Sequence, residues 1–204
     1  MFSLSVQNLI SEYMKLFYGG VNNGQYPTAI NHKIVKQYDL WKGMIRRCYS
    51  SKEHQRRPTY IDCTVSDNFK QYSYFYEWCL NQIGFNNKGW PIDKDILLKG
   101  NKIYHEDLCV FVPPEINTLL VKHESLRGAF PIGVTFQDNR FIAQCRSKYY
   151  GHKYLGSFDT AERAFEAYKA YKESIIKDVA NRFKSIIDSR VYQALLTYSV
   201  SFHD

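Results

Sequence analysis

From Pro131 onward the chain first alternates between apolar and polar residues and then strides. In Arg140-Phe141-Ile142-Ala143-Gln144-Cys145-Arg146 the side chains change character with a period of two, as in a strand with one buried face. Phe141, Ala143 and Cys145 share the apolar side, while Arg140, Ile142, Gln144 and Arg146 take the other, with Lys148 continuing it. Ile132 to Phe136 predicts a preceding strand, Asp138-Asn139 a hairpin turn, and Leu155-Gly156-Ser157-Phe158 the end of a third strand. Ala164, Phe165, Tyr168, Tyr171, Ile175, Val179 and Phe183 then recur at steps of three and four, the stripe of a helix that covers the sheet. Asp159 with Glu162 supplies an acidic form of the capping box at its start.

Upstream, Leu4, Leu9, Ile10, Met14 and Phe17 predict a short helix from Leu4 to Phe17, ended by the loop Gly19-Gly20-Val21-Asn22-Asn23-Gly24. Leu40, Trp41, Met44, Ile45 and Cys48 make one face of a second helix, with Lys42, Arg46 and Arg47 largely off it. Thr59 to Val65 reads as a short strand and Asn68 to Gln82 as a helix carrying Phe69, Tyr72, Phe75, Tyr76 and Cys79. His123 to Phe130 reads as a linker. The expected architecture is α+β in four stretches: an N-terminal helix and Gly/Asn-rich linker (1–37), a basic helix with a two-strand, one-helix unit (38–122), a three-stranded antiparallel sheet packed on one helix (131–185), and a tail or helix (186–204).

The ordered run Gly133-Val134, Phe141-x-Ala143-x-x-Arg146, Leu155-Gly156-Ser157-Phe158-Asp159-Thr160-Ala161-Glu162-Arg163-Ala164 and Ala167-Tyr168 resembles the ethylene-response-factor (APETALA-type) DNA-binding domain. The resemblance implies a sheet that enters the major groove with its helix behind it. It departs from the family pattern at Phe141, where the family usually has Trp, and in a first strand without the family's pair of arginines. Arg and Gln can each make bidentate contacts with a base edge, so Arg140, Gln144 and Arg146 are candidate base readers. Lys148 and Lys153 suit phosphate, since an ammonium is a mobile point charge.

Charge sharpens this picture. The chain carries a net +7 over 204 residues, and between His32 and Tyr60 eight basic residues face only Asp39 and Glu53, so an excess of six lies in that stretch. Beside a DNA-reading sheet, Lys42, Arg46 and Arg47 read as a phosphate track on double-stranded DNA. A solvated charged surface is the plain alternative. Five scattered cysteines without a CxxC pair argue against a disulfide framework and a zinc knuckle. His105 and Cys109, one helical turn apart, read as an ordinary surface His and a buried Cys more readily than as metal ligands. The N-terminus lacks the features of a secretory signal and no apolar run reaches membrane-spanning length, so a cytoplasmic protein without a membrane partner is expected.

Pro91-Ile92-Asp93-Lys94-Asp95, Leu108-Cys109-Val110-Phe111-Val112-Pro113 and Glu115-Ile116-Asn117 resemble a degenerate HNH (His-Asn-His) nuclease motif. With Trp41-x-x-Met44-x-x-Arg47-Cys48-Tyr49 before it, the order from Tyr38 to Ala180 is similar to phage homing-endonuclease-like proteins, which places the protein in an infected bacterial host. The resemblance implies Asp93, Lys94 and Asn117 as a catalytic group, with Asp93, Asp95 and Asn117 holding Mg2+ or Mn2+. Lys94 stands where the family's general-base His is expected, and a lysine with an ordinary pKa of roughly 10.4 is a poor base at neutral pH. Two readings therefore stay open: a metal-dependent DNA-nicking endonuclease, or a catalytically inactive DNA-binding regulator or inhibitor with a host protein as partner. Binding of RNA or protein through the aromatic-rich middle is a third.

Overall fold

The computed structural model describes residues 15–120 and 129–202. Its chain divides into two units, one running to Lys88 and taking in Ile92–Phe111, the other comprising Gly89–Pro91 and the chain from Val112 on. Both mix helices with small sheets, giving seven α-helices among the described residues and an α+β class. None of these helices is long and apolar enough to cross a membrane.

The first unit opens with two hairpins, β1 (Lys15–Phe17) with β2 (Gly20–Asn22) and β3 (Ala29–Ile30) with β4 (Lys33–Ile34). Of the helix expected over Leu4 to Phe17, the stretch before Lys15 lies outside the described residues, and Lys15–Phe17 is strand. Helix α1 (Lys36–Tyr49) buries Trp41, Met44, Ile45 and Cys48, the face its spacing prescribes. The Trp41 indole N–H donates to the Phe69 carbonyl at 2.9 Å. A short helix α2 (Ser51–Arg56) follows at once, and Pro58–Tyr60 then forms a 3-10 turn. The strand expected from Thr59 is therefore shortened to β5 (Thr64–Val65).

The single helix expected from Asn68 to Gln82 is two, α3 (Asp67–Lys70) and α4 (Tyr72–Leu80). Gln71 between them is extended, with φ −83° and ψ 114°, because its backbone bridges Val21 of β2. A tertiary contact thus overrides the helical spacing of the aromatic residues. Phe69, Tyr72, Phe75 and Cys79 are nonetheless buried as that spacing predicts. Strands β6 (Ile92–Asp93), β7 (Ile103–Tyr104) and β8 (Val110–Phe111) complete the unit, with β6 antiparallel to β8 and β7 parallel to β5.

Helix α5 (Pro114–Leu119) belongs to the second unit. So does the antiparallel sheet of β9 (Val134–Gln137), β10 (Arg140–Ser147) and β11 (Gly151–Phe158), with β10 in the middle. Asp138 and Asn139 join β9 to β10 with φ of 50° and 61°, the two left-handed residues a tight hairpin turn needs. Helix α6 (Ala161–Phe183) packs on the apolar side of the sheet, where Val134, Ala143 and Cys145 are buried, and buries Ala164, Phe165, Tyr168, Ile175, Ile176, Val179 and Ala180 of its own. Its cap is Thr160, whose hydroxyl accepts from the Arg163 N–H at 3.3 Å, so the expected Asp159/Glu162 capping box is not formed. Asp159 instead meets Arg140 from the middle strand. The C-terminal stretch is a docked helix, α7 (Ser189–Leu196), with Val191 and Leu195 buried and Asp188 as its cap.

Candidate nucleic-acid interface

The outer row follows from strand pairing. Paired residues of an antiparallel ladder point to the same side, so Ile142 sits with Thr135 and Ser157, Gln144 with Tyr154, and Arg146 with His152. The pairing shifts between Ala143 and Gln144, where Leu155 of β11 has no partner, a β-bulge. Beyond it the alternation of β11 changes, which sets Tyr154 and His152 on the side of Gln144 and Arg146. Neither Tyr154 nor His152 was marked by the sequence pattern, because β11 carries a mixed sequence through this stretch. The pairing also sets Lys153 opposite Cys145, on the helix side of the sheet and away from the polar row. Lys148 lies exposed in the turn after β10, its ammonium 5.6 Å from the centre of the Tyr149 ring.

Within the row, the side chains differ in their commitments. Arg140 donates through Nε to the Ser157 hydroxyl and through Nη2 to the Ser157 carbonyl, both at 3.2 Å, and through Nη1 to Asp159. Its guanidinium is pinned along the sheet. Gln144 Oε1 accepts from His152 Nε2 at 2.8 Å, and its amide nitrogen reaches the Thr135 hydroxyl at 3.5 Å. Arg146 is exposed at the same end of the sheet.

The cations of α1 are also unequal. Arg47 is turned inward: its Nε donates to the Tyr104 hydroxyl at 3.2 Å, and its guanidinium lies over the Tyr60 and Tyr104 rings at 5.7 and 5.6 Å. Burial pulls its pKa down, and Tyr104 and Tyr60 outweigh that, so it is held above the ordinary arginine value. Lys42 lies 5.3 Å from the Phe17 ring and 5.4 Å from the Tyr38 ring. Arg46 is exposed and pairs with Glu53 at 3.4 Å.

The Asp93-Lys94-Asp95 segment is knitted into the fold. Asp93 Oδ1 accepts from the N–H groups of Asp95 and Ile96 at 2.7 and 2.9 Å, closing a turn at the end of β6. Burial raises the Asp93 pKa against those two bonds. Lys94 is buried and donates to Asp95 Oδ1 at 2.5 Å and to the Asn101 carbonyl at 2.7 Å. Asn101 in turn donates to the carbonyls of Lys94 and Ile103, both at 2.7 Å. The residues fit a divalent cation poorly, because an ammonium already neutralises Asp95 and the turn already uses one oxygen of Asp93. Asn117 lies in α5, in the other unit. Among the described residues no three His, Cys, Asp or Glu side chains form a group able to hold a metal ion.

No family model, curated protein or solved structure matches this chain.

Proposed function

We propose that the chain binds double-stranded DNA, with the outer face of its C-terminal sheet in the major groove. The observation that carries this reading is the row built by half-buried Gln144 and exposed Tyr154, Arg146 and His152 on a three-stranded sheet backed by a 23-residue helix. A two- or three-stranded ribbon matches the width of the major groove, and Arg and Gln are the side chains that read guanine and adenine there. The helix leaves the row free of core duties, since Ala143 and Cys145 alternate with it and take the packing. Arg140 holds the row's far end to Ser157 and Asp159, and Arg146 and Gln144 do the reading. Arg46 and Lys148 contribute phosphate contacts.

The wider reading, a phage endonuclease-like protein, takes catalysis as its second part. The Lys94–Asp95 ion pair and the Asp93 turn favour the form in which the middle segment serves as scaffold and the protein acts as a DNA-binding regulator. Selection of duplexes from a random pool, followed by anisotropy titration of the selected and scrambled sequences, tests the binding. Equal affinity for both removes base reading, and no affinity in dilute buffer removes the function. Incubation with supercoiled DNA and Mg2+ or Mn2+ tests the nuclease form, and nicking abolished by Asp93→Ala would restore it.

A further inference from the structure

Glu53 is an acid in the wrong company. It is buried in the first turn of α2, and three guanidinium groups surround it: Arg46 Nε at 3.4 Å and Arg56 Nη1 at 3.8 Å from Oε1, and Arg57 Nη1 at 4.0 Å from Oε2. The Glu53 side chain is 10% exposed, whereas those of Arg46, Arg56 and Arg57 are 53%, 66% and 55% exposed. Each arginine thus shows a face to solvent while leaning on one common carboxylate. At 3.4–4.0 Å these are ion pairs rather than short hydrogen bonds, so the guanidinium N–H groups keep capacity for another acceptor. Three positive charges around one negative charge leave the cluster short of an anion.

The backbone beneath the cluster is firmly set. Ser50 closes α1 through its N–H to the Arg46 carbonyl at 3.0 Å and starts α2, receiving the His54 N–H at 3.0 Å. His54 Nε2 donates to the last carbonyls of α1, those of Arg47 and Cys48, at 3.0 and 3.1 Å. Since carbonyls only accept, the proton sits on Nε2, and the imidazole ties the two helices at a fixed angle. The Arg57 N–H donates to the Glu53 carbonyl at 2.8 Å. Arg46 from the end of α1 and Arg56 and Arg57 from the end of α2 are therefore brought to one place by a rigid corner.

We infer that Arg46, Arg56 and Arg57 form a single phosphate-holding cradle, spaced by the buried carboxylate of Glu53, that grips the sugar-phosphate backbone of duplex DNA. This rests on the DNA-binding reading above and changes where the helical region makes its contact. Lys42 and Arg47 of α1 are engaged with aromatic rings, so the grip belongs to the α1–α2 corner rather than to the length of α1. Glu53 is a positioning residue in this scheme and touches no phosphate.

The test uses the full chain, a labelled duplex and a salt series, with the variants Arg56→Ala/Arg57→Ala, Glu53→Gln and Arg146→Ala. The double variant is expected to weaken all duplex sequences alike and to flatten the slope of log affinity against log salt by about 2, one counterion for each lost contact. Glu53→Gln removes a negative charge, so simple charge counting requires tighter binding. The cradle requires the reverse, several-fold weaker binding with the fold intact by thermal melting. Tighter binding by Glu53→Gln, or an unchanged salt slope in the double variant, overturns the inference. If Glu53→Gln does not fold, the two exposed arginines decide alone. Millimolar inorganic phosphate at constant ionic strength is expected to leave duplex binding unchanged, and its selective competition against wild type but not the double variant would assign the site to free phosphate instead. A wild-type chain that ignores duplex DNA removes both readings, whereas retained binding with a null double variant removes this one only.

Discussion

Gly133 lies against the ring of Tyr168 so closely that a Cβ built on it would fall 2.0 Å from the ring carbon Cδ2, and its φ is +79°. The sheet and α6 meet at this point through backbone on one side and an aromatic face on the other. Both the space and the dihedral demand glycine there.

Gly133→Ala is accordingly expected to cost about 2–4 kcal/mol of folding free energy, from a left-handed backbone and an overpacked ring together. Thermal and urea melts of the full chain measure it. A change within error of wild type would mean that β9 and α6 do not meet in this way.

Arg146→Ala is expected to cost about 1–3 kcal/mol of binding to a preferred duplex and to relax preference at one base pair. Arg140→Ala should cost less discrimination, because its guanidinium is already spent on Ser157 and Asp159. Anisotropy titration of both variants against preferred and single-mismatch duplexes ranks them. Equal loss of discrimination would return Arg140 to the reading row.

Lys94→Met is expected to destabilise the first unit by about 1–3 kcal/mol, since it leaves the buried Asn101 carbonyl without its donor and removes the ion pair to the exposed Asp95 carboxylate. Denaturant unfolding is the readout. DNA affinity of the folded variant should remain that of wild type.

Asp188 gives a pH dependence of defined sign. Burial raises its pKa, but hydrogen bonds from the Arg190 side chain and backbone N–H outweigh that and hold it below the ordinary 3.8. A carboxyl with a depressed native pKa stabilises the fold fully above its unfolded value, and the contribution fades as pH falls through the native one. Asp188→Ala should therefore lower stability by about 1 kcal/mol at neutral pH through loss of the α7 cap, with the gap to wild type closing below pH 3.8. Paired melts across pH 2 to 7, a range of roughly five units around the carboxylate values, would show it.

All five cysteines are buried, and burial pushes the thiols of Cys48 and Cys109 up to about 12. Mildly alkaline solutions of an aromatic disulfide reagent should label them slowly in the native protein and completely once it is unfolded. Fast native labelling of Cys48 or Cys109 would contradict the packing of α1 or β8.

The C-terminal unit was largely readable from its sequence because its signals are local. Alternation in β10, a two-residue turn at Asp138-Asn139 and a three-and-four stripe in α6 each fix an element without reference to distant residues. The first unit was less legible where distant pairing decides the outcome. Gln71 breaks a helix because Val21 needs a partner, and Arg47 turns inward because Tyr60 and Tyr104 arrive from far along the chain. The same holds for α6's start, where Asp159 was a fair cap by spacing until Arg140 claimed it and Thr160 took its place. Glu53 did leave a trace, a single acid among Arg46, Arg47, Arg56 and Arg57, but only the fold shows that it gathers three of them.

The unpaired Leu155 has an effect out of proportion to its size. The bulge acts as a parity switch: were Leu155 to take Gln144 as its partner, the ladder would run on with Lys153 opposite Arg146, turning Tyr154 and His152 under the sheet with β10 untouched. A slip of one residue in this outer strand alone would thus rewrite what the surface presents, while the middle strand stays where it stands.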